Sequence, residues 1–565
     1  MRISLSGRRV QNIDASRCTR LRPFASVAKA RNIFGYSRAF APWQRTASTH
    51  SARPMFRCGL LAAALLVSAP ALAQESDANA EASVLVGSAK KYHPIIGFRP
   101  ASMRLEVPLL AAVRYEKVSG FPVDPDDSQQ EPDPAVNTQL RAGLLFTTDQ
   151  AWSPLFITAE AEYEVLTGQI SGGGGDLEAV DAPLSDGDTD HHLRKGYGRL
   201  TMGPFLTLAG GYMVSHWGLG LLANSGAHGW EPGSAHFGDP RGGDRVLRTL
   251  VASGPWTHSK LFFVVGHDWV QDDDVTLEGD EATQFVASAT LGFKKKRSVG
   301  VYVARRFQEA EDGQKTEVLA YDLYGKWENR VGSLLYKTEI EAAFITGTTE
   351  LAPNANFETH DVLQLGVAAR LGLDWGGVGA VVDYLFASGD QNFEDDTQNA
   401  FKPDPNFEMG LLLYRHVLAA TTARAPIRAA DPDVSGYPAE DLDRYPTRGS
   451  ASNTHAIFPR GWYRPLDGLE VYGGPLFAFT DVPLADPRNS KFAGGQPRNP
   501  YNGDGGGYLG TELDLGLRYR TIVGGTQLTV GFEGGVFMPG SAYTEGEDTQ
   551  LDRVFGGRAM VAYKL

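Results

Sequence analysis

Residues 363–375 read LQLGVAARLGLDW, and apolar and polar side chains alternate along them. Successive side chains of a β-strand point to opposite faces. The pattern therefore predicts a strand with one apolar and one polar face. Strands of soluble sandwiches usually span about 5–6 residues, whereas this one is long enough to cross a bilayer when tilted. The apolar face would carry Leu363, Leu365, Val367, Ala369, Leu371, Leu373 and Trp375, and the polar face Gln364, Arg370 and Asp374.

The same period of two recurs along the chain. It covers residues 104–116, 155–165 and 512–520, and it returns at the C-terminus, where Phe555 and every second residue up to Leu565 are apolar or small. This ending resembles the C-terminal assembly signal of bacterial outer-membrane proteins, which more often ends in Phe. A closed barrel is the only sheet that spans lipid, because it leaves no unpaired strand edge. The sequence therefore predicts an all-β fold, a transmembrane antiparallel β-barrel.

The period and the turn signals together predict about 18 strands. An even number places both termini on the periplasmic side, with short periplasmic turns and long outer loops. The predicted strands are 103–117, 138–148, 154–166, 194–203, 204–215, 246–254, 259–270, 283–294, 297–308, 315–328, 332–346, 359–374, 377–388, 454–464, 468–482, 507–521, 525–538 and 552–565.

The composition excludes two other classes of protein. Of 565 residues, 42% are apolar and the mean hydropathy is −0.24, which excludes a bundle of transmembrane helices built from apolar runs of about 20 residues. The formal net charge of −14 opposes binding to nucleic acid through bulk positive charge. The two cysteines, Cys18 and Cys58, precede the predicted mature chain, so its stability is not expected to depend on disulfides.

The chain before the barrel divides into three predicted segments. Residues 1–54 are Arg-rich and are predicted to be a disordered, non-native upstream extension; a transit-like presequence is the alternative. Residues 55–73 have the basic start, short apolar core and small-x-small ending of a secretory signal peptide. Residues 74–102 are predicted to be a periplasmic segment, and residues 103–565 the barrel. Export by this signal predicts a location in the outer membrane of a Gram-negative bacterium.

Two long connections are candidates for folding into the lumen. Residues 389–453 are assigned to one outer loop, because a strand within 407–424 would make the strand number odd. The leucine-rich part of 407–424 also fits a helix, which would plug the lumen. The alternative is an ordinary strand followed by a periplasmic insertion. Residues 216–245, rich in Gly and His, are a candidate constriction loop.

The polar faces of the predicted strands supply candidate lumen charges. A barrel this wide ordinarily encloses an aqueous pore, and charge rings and constrictions set its selectivity. The basic candidates are Arg104, Arg114, Arg141, Lys326, Arg370, Arg518 and Arg520, and the acidic ones are Glu160, Glu162, Glu164, Asp322, Glu339, Glu341, Asp374, Glu512 and Asp514. The glutamate row of one strand and the arginine pair of another suggest a divided lumen. The alternative for each residue is a neutralising ion pair that only keeps the interior hydrated.

One acidic segment offers a candidate calcium site in an outer loop. Asp390, Asn392, Glu394 and Asp396 space oxygen ligands at alternate positions, as in the first half of a calcium-binding loop. The central Gly and the terminal Glu of such a loop are missing. The alternative is a solvated acidic loop, and divalent bridging to lipopolysaccharide is a further hypothesis. No other cofactor is predicted.

A short segment resembles a known family. Residues 383–390, Asp-Tyr-Leu-Phe-Ala-Ser-Gly-Asp, followed by Asn392 and Phe401, are similar to a stretch of the alginate-export family of outer-membrane porins. The resemblance implies an 18-stranded barrel, although that family's basic, anion-selecting lumen is not matched by these candidate charges. Residues 215–220 with 244–246 also resemble uncharacterised myxobacterial-type outer-membrane barrels, which implies a location and a shape but no substrate.

These observations predict a porin-like channel for passive diffusion of a small polar or saccharide-like solute through a charge-lined lumen. The alternative is a structural or adhesive barrel closed by an infolded loop. The chain has no serine elbow, kinase-type glycine loop or HExxH motif, so no enzyme is predicted. The expected partners are outer-membrane lipid, lipopolysaccharide, the barrel assembly machinery and the solute, with no nucleic acid.

Overall fold

The computed structural model describes most of the chain after residue 102. The larger of two compact units, residues 76–565, contains all of the described residues. The predicted upstream extension and signal peptide lie outside them, so both stay predictions. The described residues are 97–98, 103–132, 134–148, 155–168, 189–227, 231–238, 242–273, 275–351, 357–393, 395–429, 442–545, 548–549 and 551–565.

Within these ranges, eighteen antiparallel strands form a barrel, as the sequence predicts. The strands are β1 Leu109–Val118, β2 Ala135–Thr148, β3 Leu155–Thr167, β4 Thr189–Met202, β5 Leu206–Val214, β6 Arg245–Trp256, β7 Leu261–Asp272, β8 Glu281–Leu291, β9 Arg297–Glu309, β10 Lys315–Val331, β11 Leu334–Thr349, β12 His360–Asp374, β13 Val378–Ala387, β14 Thr454–Leu466, β15 Leu469–Phe479, β16 Tyr508–Val523, β17 Thr526–Pro539 and β18 Val554–Lys564. Each strand pairs with the next one along the chain.

The sheet closes between its first and last strands. β18 pairs with β1, with Val561 opposite Val113. The segment Met103–Glu106 extends β1 toward the N-terminus. It pairs with β2 in the same register as β1 does. Gly97–Phe98 adds a two-residue antiparallel pairing to that segment. Part of the predicted periplasmic segment 74–102 therefore joins the sheet.

The outward face of the barrel is apolar over its middle. On β7 and β16, Val265 and Leu515 are each 61% exposed, while their neighbours Val264 and Asp514 are buried. The same alternation runs along β1, β10 and β17. An exposed apolar belt of this extent is the surface that lipid requires of a transmembrane barrel. Other members of the belt are Val113, Leu144, Leu323, Phe532 and Phe555.

No helix within the described ranges is long and apolar enough to cross a membrane.

The position of the belt can be tested by a charge placed on it. Val265→Arg is expected to lower the free energy of unfolding by about 2–4 kcal/mol, the cost of Arg at the bilayer midplane. Ile522→Arg, beside the short turn after β16, is the matched control and should cost about 0–1 kcal/mol. Urea unfolding in lipid vesicles measures both. Equal costs at the two positions would contradict this placement of the membrane.

The connections at the end that holds the C-terminus are short, and most of those at the other end are longer. The turn Gly524–Gly525 joins β16 to β17, whereas residues 388–453 join β13 to β14. This arrangement assigns the end with short turns to the periplasm. Of two tryptophans at this end, Trp375 is exposed at a short turn, whereas Trp462 is buried inside the barrel. Trp462 shares the inward parity of Arg460 on β14, so period-two reasoning places it inside.

The connection between β13 and β14 contains the helical structure that the sequence suggested. A π-helical turn, Leu413–Leu418, leads directly into α1, Ala419–Ala429. The alternative of a strand over 407–424 is therefore wrong. Residues 411–423 are buried and pack with inward-facing apolar side chains of the barrel, including Leu476, Phe537 and Val554. Apolar burial of this kind outweighs the modest helix propensity of the segment. Closure of the lumen by this segment stays a prediction.

A second short helix, α2 Pro487–Phe492, lies in the connection between β15 and β16. It begins with Asp486, whose side chain accepts a hydrogen bond from the backbone amide of Asn489. That is the usual cap of a helix N-terminus. Two 3₁₀ turns, Leu442–Arg444 and Ser541–Tyr543, complete the helical structure of the described connections.

Candidate functional site

The predicted lumen residues lie on the inward parity of their strands. Deep burial distinguishes Arg114, Arg141, Glu164, Asp322, Glu341, Glu512, Asp514 and Arg518. The partly exposed ones are Arg104, Glu160, Glu162, Lys326, Glu339, Arg370, Asp374 and Arg520. Arg104 pairs with Glu106 near the turn end of the barrel. Asp374, at the same end, accepts a hydrogen bond from the amide of Gly376 and so caps a turn.

Ion pairs on neighbouring strands neutralise the glutamate row of β3. Glu164 pairs with Arg141 of β2. On β4, Arg194 lies 2.9 Å from Glu162 and Lys195 lies 2.9 Å from Glu160. The predicted acidic side of the lumen therefore carries matching positive charge. This arrangement favours the alternative of neutralising pairs over a divided lumen.

Similar pairs surround the rest of the inner wall. Lys326 lies 3.6 Å from Glu339, and Arg370 lies 2.7 Å from Asp383 of the next strand. Sequence reasoning did not select several of the partners. Period-two parity was a usable signal for all of them except the adjacent Arg194 and Lys195, which both face inward because the pairing of β3 with β4 has a bulge there. The unselected partners are Arg194, Lys195, Arg248, Asp268, Asp383, Arg460, Glu470, Glu533 and Arg558.

The connection between β5 and β6 enters the lumen in its described parts, residues 215–227, 231–238 and 242–244; we call residues 215–244 the crossing loop. Its backbone carbonyls accept hydrogen bonds from arginines on widely separated strands. The carbonyl of Ala235 accepts from Arg460 of β14 at 2.8 Å, and that of His236 accepts from Arg518 of β16 at 2.9 Å. Further donors are Arg141 to Gly226, Arg194 to Ser225 and Gly242, and Arg558 to Phe237 and Gly238.

Carboxylates of the wall hold the amide groups of the same loop. Glu341 of β11 accepts from the amides of Leu219 and Leu221, and Asp322 of β10 accepts from the indole of Trp217 at 3.1 Å. Buried backbone groups need such partners, because leaving one unpaired costs about 1–3 kcal/mol. The crossing loop is thus fixed on both sides of the barrel. The described parts of the candidate constriction loop 216–245 therefore lie inside the lumen.

Gly218 is required where the crossing loop meets Glu341. Its φ is +56°, and an added Cβ would lie 2.4 Å from the Glu341 carboxylate. A side chain at this position would therefore displace the anchor as well as strain the backbone.

A second anchor holds the helical segment. Glu512 of β16 accepts hydrogen bonds from the amides of Leu411, Leu412 and Leu413, the last at 2.7 Å. These amides lie at the start of the helical turn, where backbone donors have no partner within the helix. Arg415 pairs with Glu408 at 2.7 Å and with Glu116 of β1 at 3.7 Å. Two of the predicted acidic candidates, Glu341 and Glu512, therefore serve as anchors for infolded segments.

A cavity of about 330 Å³ lies on the outer side of the crossing loop. The inner faces of β6 to β12 form one wall, and residues 390–404 with 444–453 contribute another. Leu222 and Ala223 of the crossing loop also line it. A solute entering from outside would meet this cavity before the crossing loop.

The predicted calcium ligands are used in loop turns. Asp390 accepts hydrogen bonds from the amides of Asn392 and Asn399, at 3.0 and 3.1 Å. Burial raises the pKa of Asp390 to about 6, and these hydrogen bonds act in the opposite direction. Asp396 accepts a hydrogen bond from the Thr397 hydroxyl at 3.4 Å, and Glu394 lies outside the described residues. Across the described ranges, no group of three or more His, Cys, Asp or Glu residues is arranged to hold a metal ion, so the calcium site stays a prediction.

Comparison with known proteins gives structural likeness only. No family model matches the chain, so the resemblance to the alginate-export family stays a prediction. No curated protein matches it either.

Several solved structures of Pseudomonas aeruginosa proteins align over most of the chain. OccK5 (OpdH) is 10% identical with a TM-score of 0.44, and the alignment covers 82% of this chain and 98% of that one. OccK2 (OpdF) in complex with glucuronate is 11% identical with a TM-score of 0.45, covering 81% and 98%. OpdK with vanillate is 13% identical with a TM-score of 0.44, covering 83% and 100%. At such low identity, what these proteins bind does not indicate the solute of this one.

Proposed function

We propose that this protein is a porin-like channel of the bacterial outer membrane through which a small polar or saccharide-like solute diffuses passively. The observation that carries the proposal is a closed 18-stranded barrel, among the described residues, with an apolar outer belt and a charged inner face. Barrels of this width enclose a lumen rather than a packed core. The crossing loop narrows that lumen, and the ion pairs of the wall keep its interior polar.

The proposal includes the setting of the channel. The predicted signal peptide 55–73 would export the chain, and the barrel assembly machinery would insert it. The apolar belt would contact outer-membrane lipid, and the acidic outer loops would face lipopolysaccharide. No catalytic step is part of the proposal.

Conductance of single molecules in a planar bilayer tests the function. The full-length protein, expressed with its own presequence and purified in detergent, is expected to give steady conductance steps. Its ion preference should be weak, because most inward charges are paired. Protein denatured before insertion is the control. Absence of conductance in a correctly folded preparation would contradict the channel.

One observation favours the alternative of a structural or adhesive barrel. The segment 411–423 is buried inside the barrel and anchored by Glu512. If this segment closed the lumen, the protein would act through its outer loops. Replacing residues 407–424 with a Gly-Ser linker distinguishes the two: a closed barrel would conduct only after the replacement.

A further inference from the structure

The cavity outside the crossing loop differs in character from the rest of the lumen. Most of the surface that the cavity exposes is apolar, although charged side chains also line it. Small-molecule sites commonly combine an apolar wall with a few polar groups in a volume of about 300–1,000 Å³, and this cavity measures about 330 Å³. The apolar side chains that line it include Val246, Val270, Val318, Ile345 and Val362.

Water interacts only weakly with the apolar part of this wall. Each apolar side chain that faces water forgoes the favourable transfer of its surface to an apolar partner, about 25 cal/mol per Å². Tyr302, which also lines the cavity, stacks on Trp217 of the crossing loop with ring centroids 5.5 Å apart. Tyr302 gives the cavity an aromatic side next to its aliphatic wall. An apolar body of ring size would fit these surfaces.

His360 supplies an unused polar group at the edge of the same cavity. It is the first residue of β12, only 3% of its surface is exposed, and it lines the cavity. Neither ring nitrogen has a hydrogen-bond partner among the described residues. The nearest ring contact is with Phe357, edge to face with centroids 6.1 Å apart. A buried imidazole without a partner is costly, so a polar group of a bound molecule would satisfy it.

The charges around the cavity disfavour an anion. Its basic side chains are already engaged: Arg306 pairs with Asp273, Arg444 pairs with Asp280, and Lys402 donates to backbone carbonyls. The described lining contains six carboxylates against four basic residues. They are Asp244, Asp272, Asp273, Asp390, Asp395 and Asp404, and Arg306, Lys402, Arg444 and Arg448.

We propose that this cavity binds a small amphipathic solute with an apolar, ring-sized body and an uncharged or cationic polar head. His360 hydrogen-bonds the polar head, and the apolar wall with Tyr302 holds the body. The site rests on the proposed channel function for the route by which the solute arrives and leaves. It narrows the solute class of that function from polar molecules in general to amphipathic ones.

Three probes with the same phenyl body test the chemistry. 2-Phenylethylamine carries a cationic head, 2-phenylethanol a neutral one and phenylacetate an anionic one, and glucose serves as a purely polar solute. Calorimetric titration of the full-length, detergent-purified protein is expected to show saturable binding of the amine or the alcohol. The acid and glucose should bind at least tenfold more weakly, which is a difference of about 1.4 kcal/mol in binding free energy.

Variants separate the roles of the head and the body. His360→Ala is expected to weaken the amine or alcohol roughly tenfold, the value of one buried hydrogen bond. Val318→Asn should weaken it through the apolar wall. His258→Ala is the matched control, because His258 is exposed in the turn after β6. Heat-modified gel mobility of each variant verifies that the barrel is folded.

Each outcome decides the inference. Binding of the acid as tightly as the amine and the alcohol, equal affinity in His360→Ala, or no binding of any probe would overturn it. Steady conductance without binding would overturn the site and leave the channel standing. Binding without conductance would support the site and contradict the channel, so the two failures are distinguishable.

Discussion

Removal of the crossing loop is expected to raise single-channel conductance severalfold. The change replaces residues 216–243 with a short Gly-Ser linker. The amide of Ser215 lies 3.1 Å from the carbonyl of Asp244, so a short linker can join the ends without moving β5 or β6. Conductance is limited by the narrowest section of a pore, and the described parts of the loop contact the inner wall on both sides of the lumen.

Ion preference should change together with conductance. Arg460, Arg518 and Arg558 would lose the loop carbonyls to which they donate and would face the water of the lumen. Positive charge on the wall attracts anions, so the reversal potential in a KCl gradient is expected to move toward that of chloride. A Gly-Ser replacement of the exposed connection 310–314 is the control and should leave both quantities unchanged. Unaltered conductance after loop removal would show that the constriction lies elsewhere.

Glu533→Ala is expected to cause a large loss in the free energy of unfolding. Glu533 of β17 lies 2.7 Å from Arg518 and 2.5 Å from Arg558 and accepts a hydrogen bond from Tyr472. The side chains of Glu533 and both arginines are almost fully buried. Breaking a buried ion pair by removing one partner typically costs about 3–5 kcal/mol, and here two guanidinium groups lose their carboxylate together.

Urea unfolding of the refolded protein in lipid vesicles measures this loss. The matched control is Glu317→Ala, which removes the partner of Arg305 from a pair whose side chains are about half exposed. Exposed pairs contribute about 0–1 kcal/mol, so the control should remain close to the unmodified protein. Equal losses for the two variants would mean that lumen water solvates Arg518 and Arg558 and that the network is not structural.

The period of two was sufficient to predict the strands and their faces. Along β16, it placed Glu512, Asp514, Arg518 and Arg520 together, and the structure has all four on the inward parity. It worked because strand geometry fixes side-chain direction locally, whatever lies across the barrel. The same rule places Trp462, which shares the parity of Arg460, inside the barrel, where it is buried.

Hydrogen-bond partners on opposite sides of the lumen could not be predicted from local sequence patterns. Arg518 of β16 donates to the carbonyl of His236, which is 282 positions away in the sequence. Such a contact depends on closure of the sheet and on the register of every strand between the two residues. The glutamate row of β3 likewise suggested an acidic wall, because the side chains that neutralise it lie on the two neighbouring strands, β2 and β4.

By itself, the sequence determined a membrane-type barrel of about 18 strands and the direction of its charged side chains. It also identified two connections as candidates for folding inward. Alternation within each strand is a local property, and it survives any arrangement of the loops. Only the tertiary structure decided that the wall charges are paired, that Glu341 and Glu512 anchor infolded segments and that an apolar cavity with His360 lies outside the crossing loop. These features arise where backbone amides and carbonyls without a repeating pattern must find partners on distant strands, and those partners exist only once the barrel has closed.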